Sequence, residues 1–111
     1  MFTGSELEES KFRIAKVSDP CTIFNGSTKY NCTRDARLAN LFIEEDYKVS
    51  NRSRYYLGEW HTHPEDNPQP SNIDVASIKN IYSTSKLPIN GVFLIIVGLR
   101  SNYYGFYDGK N

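Results

Sequence analysis

His61 and His63 are the only histidines in the 111-residue chain, and a single residue separates them. In an extended strand the side chains at i and i+2 leave the same face, so the two imidazoles converge while Thr62 points away. Pro64, Pro68 and Pro70 follow. Each lacks an N–H donor, so this stretch leaves the sheet and turns. Ser71 then opens a helix, and Asp74, one turn in, is placed to swing its carboxylate back toward the strand end. Two imidazole nitrogens and one carboxylate oxygen make a zinc site of the catalytic type, with the fourth position left to water; structural sites close that position and favour Cys. Zinc acidifies such a water from a pKa of about 15.7 to about 7, so hydrolysis is the natural chemistry. Ser71-x-x-Asp74 also has the form of a helix capping box.

His61-x-His63-Pro64, a seven-residue gap counted from His63, and Ser71-x-x-Asp74 together resemble the signature of the JAMM metalloproteases, also called MPN or JAB domains. The resemblance covers nearly the whole chain. It implies an α/β fold, a mixed β-sheet flanked by helices with the JAMM/MPN (cytidine-deaminase-like) architecture, in a minimal prokaryotic-type form. It also implies zinc bound by His61, His63 and Asp74, and Ser71 stabilising the tetrahedral oxyanion, a role that capping does not preclude. The implied activity is a zinc-dependent peptidase or isopeptidase, and the implied substrates are bonds at the C-terminus of ubiquitin-like or related small proteins.

In that family a Glu on an earlier strand acts as general base, shortly before a glycine-containing segment and usually after a helix. Phe2-Thr3-Gly4 resembles the end of that strand. The base is therefore expected upstream of Met1, with the first helix and the Glu-bearing strand lacking from residues 1–111. Glu6, Glu8 and Glu9 follow the glycine and read as a solvated acidic turn. Glu59 shares the strand face of His61 and His63, which makes it a substitute base or an orienting partner for an imidazole. Two alternatives accompany the hydrolase: a non-catalytic MPN-type interaction module without a base, and a DNA-associated protein resembling the RadC branch of the same superfamily.

The elements that must position these residues follow from pattern. Lys11 to Ser18 alternates as a strand, with Phe12 and Ile14 on one face and Asp19-Pro20 as its stop. Cys21 to Phe24 is a short apolar run before the turn dipeptide Asn25-Gly26. Thr33 or Asp35 caps a helix from Ala36 to Val49, whose Leu38, Leu41, Phe42 and Tyr47 recur at helical spacing and are expected in the core. Arg54 to Trp60 leads into the His pair as a strand, with Gly58 allowing a close neighbouring backbone and Trp60 filling the core on the far side. Val75, Ile78, Ile81 and Tyr82 form the expected buried stripe of the helix opened by Ser71. Val92 to Val97 reads as a central strand, and Tyr103 to Tyr107 as the last.

The length suits a single domain with one core. Thirteen basic residues balance thirteen acidic ones, so there is no field to draw in nucleic acid, which counts against the DNA-associated reading. No apolar run is long enough for a bilayer and no signal pattern opens the chain, so a cytoplasmic protein without membrane association is expected. Cys21 and Cys32 are expected as free thiols. The expected partner is a protein substrate, and the expected state a monomer or weak dimer.

Overall fold

The computed structural model describes residues 1–8, 11–18 and 36–110. Chain order among them is β1 (Phe2–Glu8), β2 (Lys11–Val17), α1 (Ala36–Val49), β3 (Tyr55–Thr62), α2 (Asn72–Thr84), β4 (Val92–Val97) and β5 (Asn102–Tyr107). Five strands paired in both senses, with two helices, make the expected mixed α/β arrangement. By internal contacts the chain forms two units, Met1–Tyr56 and Leu57–Asn111.

In the first unit β1 and β2 pair antiparallel, with irregular register at Thr3/Gly4 and at Glu6/Glu8. The expected acidic turn is thus corrected: Glu6 and Glu8 extend β1, where their side chains are exposed. Carboxylates stay solvated at the exposed end of a strand as they do in a turn, so polarity alone did not separate the two. Glu9, Asp19-Pro20, Cys21, Cys32, the Asn25-Gly26 turn and the caps at Thr33 and Asp35 lie outside the described residues.

Helix α1 has the expected bounds but a different inward face. Ala39 and Asp46 are fully buried, whereas Leu38, Leu41 and Tyr47 are exposed. The inward face carries a buried charge. The Asp46 carboxylate accepts the Thr3 hydroxyl at 2.6 Å and the Arg54 guanidinium at 2.7 Å. A carboxylate removed from water is tolerable only with such partners, and orphaning it is expensive. Asp46 shares the inward stripe with Ala39 and with the half-buried Phe42, the one residue of the expected four that is not exposed.

The second unit builds the platform for the histidines. β3 and β4 are parallel, with α2 connecting them, and β5 adds antiparallel to β4. Glu59 pairs with Leu94 and His61 with Ile96, so all four share one sheet face. Val92, Leu94 and Ile96 are buried on that face, as are Ile78 and Ile81 of α2. Each such aliphatic side chain contributes about 1.5–3 kcal/mol by leaving water. Of the expected α2 stripe, Tyr82 is half-buried against Tyr107 in a T-shaped contact of 5.3 Å, and Val75 is exposed. Trp60 is half-buried on the opposite face, so it covers that side rather than filling a core. Gly58 allows a close backbone neighbour: a Cβ there would lie 2.1 Å from the Phe93 carbonyl oxygen.

Candidate metal centre

The strand brings His61 and His63 to one side with ring centroids 4.9 Å apart. Helix α2 supplies the third group. Ser71 is its N-cap: Ser71 Oγ accepts from the Asp74 N–H at 3.1 Å, and the Ser71 N–H donates to Asp74 Oδ2 at 2.7 Å. This capping box holds the Asp74 carboxylate in one orientation. From there Oδ1 lies 3.1 Å from His61 Nε2, and Oδ2 lies 3.4 Å from His63 Nε2. Asp74 is thereby both a helix cap and the hub of the cluster.

The three side chains fit a metal. One ligand atom from each of His61, His63 and Asp74 can be chosen so that all lie within 4.8 Å of one another. Four ligands placed tetrahedrally around zinc at 2.0–2.1 Å would be separated by about 3.3 Å, close to the two nitrogen–oxygen separations here. His61 Nε2 adds the sharper test. It is buried and makes no hydrogen bond, and its neighbour at 3.1 Å, Asp74 Oδ1, is an acceptor with no proton to offer a lone pair. A buried polar atom left this way is costly, and a cation among these atoms would satisfy it.

Burial pushes the His61 imidazole below its ordinary value of 6.5, and the neighbouring His63 works in the same direction against the attraction of Asp74 and Glu59. The ring is therefore neutral at neutral pH, the form that ligates metal. The unfolded ring takes up a proton near pH 6.5, while the folded one resists until lower pH. The metal-free fold thus keeps its full stability above about pH 6.5 and loses some as pH falls from there through the folded pKa. Denaturant midpoints measured in chelator between about pH 7.5 and 5 should fall, and His61→Gln should flatten part of that slope. An unchanged slope in the variant would contradict the burial effect.

Glu59 stands two residues before His61 on the same face and is 8% exposed. One contributor was not anticipated. Glu65 Oε1 lies 3.2 Å from His63 Nδ1. A metal-binding imidazole commonly gives its other N–H to a carboxylate. An acid two residues beyond a candidate ligand was the available signal, and the intervening Pro64 obscured it.

This fold and this cluster define a prokaryotic JAB-type domain. The family of prokaryotic homologs of the JAB domain matches residues 1–106, and the chain belongs to it. Among curated relatives, a Vibrio cholerae protein named CD-NTase/cGAS isopeptidase is 34% identical over 95 residues, covering 83% of this chain and 56% of the relative. Proteins of the same name from Escherichia coli and Pseudomonas aeruginosa are 39% and 43% identical over 64 and 55 residues. Those alignments cover 57% and 50% of this chain and 38% and 34% of the relatives. The chain thus matches about half or less of the length of these relatives.

Among the described residues no helix is long and apolar enough to cross a membrane.

Proposed function

We propose that the chain is the metalloprotease domain of a zinc-dependent isopeptidase. In this reading it hydrolyses the bond that joins the C-terminus of a ubiquitin-like or similar small protein to an amine of another protein. The relatives' name supports an isopeptide substrate and suggests CD-NTase conjugates as the protein class. The observation that carries the reading is the convergence of His61, His63 and Asp74 beside the hydroxyl of Ser71.

Zinc held by those three residues would polarise the scissile carbonyl and acidify the attacking water. The rest falls to side chains. Ser71 Oγ receives the Asp74 N–H through a lone pair and keeps its own hydrogen, which it donates to the oxyanion as the carbonyl becomes tetrahedral. Glu59 is assigned the proton transfer: its carboxylate accepts the proton that water gives up and returns it to the leaving amine. The capping box keeps Asp74 from rotating away during these steps.

The test is cleavage of a conjugate linked through the C-terminus of a ubiquitin-like protein, followed by mass, with zinc and with chelator. Chelator should stop turnover. Ser71→Ala should lower kcat by about a hundred- to a thousand-fold and, through the lost cap, cost about 1 kcal/mol of stability. Turnover indifferent to both chelator and Ser71→Ala contradicts the mechanism. Zinc binding with no turnover favours the non-catalytic module.

A further inference from the structure

The loop that leaves His63 does not lie free. It is gripped by the turn between β4 and β5. Glu65 O accepts the Leu99 N–H at 2.7 Å, and Asp66 O accepts the N–H groups of Arg100 and Ser101 at 3.1 and 3.0 Å. The Ser101 hydroxyl donates to Asn67 Oδ1 at 2.8 Å. His63 itself is tied to the same strand end, its N–H donating to Val97 O at 3.1 Å. The grip is tight: a Cβ on Gly98 would stand 2.4 Å from Pro68 Cδ and 2.8 Å from Glu65 O, closer than real side-chain atoms approach.

We propose that the Gly98–Ser101 turn is a positioning clamp for the metal centre, acting through Glu65 on His63; the inference rests on the zinc-site reading above. Glu65 is more than half exposed, and a long carboxylate side chain in water adopts many rotamers. Its place against His63 Nδ1 is set by the backbone that follows it, which the turn pins at Glu65 O and Asp66 O. Glu65 beside Nδ1 favours the tautomer that donates Nδ1–H to it, which leaves Nε2 to present its lone pair toward Asp74 and His61. The turn itself touches none of the three ligand atoms. Gly98, Ser101 and Glu65 are positioning residues, and a glycine at 98 is what allows the loop to approach.

The experiment measures the Zn2+ dissociation constant of the full chain by competition with a chelating dye, alongside the thermal midpoint of the metal-free protein. Glu65→Ala should weaken zinc binding by about ten- to a hundredfold with little change in the metal-free midpoint. Glu65→Gln, whose amide oxygen still accepts from Nδ1–H, should restore most of the affinity. Gly98→Ala should weaken binding within the same range, and should add nothing further in the Glu65→Ala background, because both act through one contact. Should Gly98→Ala not fold, Ser101→Ala takes its place, with a loss of a few-fold expected and the same non-additivity. If Glu65→Ala holds zinc as the parent does, or the turn substitution costs equally in both backgrounds, the clamp is overturned while the site stands. A parent that binds no zinc overturns the site and the clamp together.

Discussion

His63→Ala is expected to abolish zinc retention and peptidase activity together while leaving the fold in place. The substitution removes the Nε2 nitrogen 3.4 Å from Asp74 Oδ2, leaving one imidazole and one carboxylate in the cluster. Two ligands of a three-ligand site hold zinc poorly, and without the metal the site has neither its Lewis acid nor its acidified water. His63 lies past the end of β3 and is only partly buried. A surface-side truncation of this kind moves stability by well under the roughly 2–5 kcal/mol of a core deletion. Metal content, thermal midpoint and conjugate cleavage should be measured on the same preparation. Undiminished cleavage by His63→Ala would refute the site.

Glu59→Gln is expected to lower the rate of cleavage by about a hundred- to ten-thousand-fold with zinc still bound, the scale of a lost general base. The variant keeps the size of the side chain in a position that is almost wholly buried, between Gly58 and Trp60 on β3. It removes the proton-accepting charge and leaves His61, His63 and Asp74 unaltered, so zinc content serves as the internal control. A rate equal to the parent's would take the base role away from Glu59.

Much of this arrangement was legible in residue spacing because local rules and the tertiary fold agree there. The period-2 placement of His61 and His63, the proline-rich break and the Ser71/Asp74 cap each act within a few residues, and the structure brings all four side chains together. The run from Val92 to Val97 is a strand with those bounds, and α1 spans Ala36 to Val49 as its periodicity indicates. What spacing did not disclose depends on partners distant in sequence. The inward face of α1 includes Asp46, which meets Thr3 43 residues away, and counting apolar residues cannot register a charge that is buried because it is paired. Glu65 acquires its role from the turn at Gly98–Ser101, some thirty residues further along. Val75 fits the apolar stripe of α2, yet it is exposed beside a cavity of about 180 Å³ lined also by Pro70, Ile78 and Leu94.

The most direct measurement is the X-ray absorption spectrum at the zinc edge of the loaded protein. Scattering from two imidazole rings, with nitrogen and oxygen ligands at about 2.0–2.1 Å and no sulfur, is the expected result, with the bound-zinc signal lost in His61→Ala. A shell containing sulfur at about 2.3 Å, or a spectrum unaltered by that substitution, would place the metal elsewhere and contradict the account.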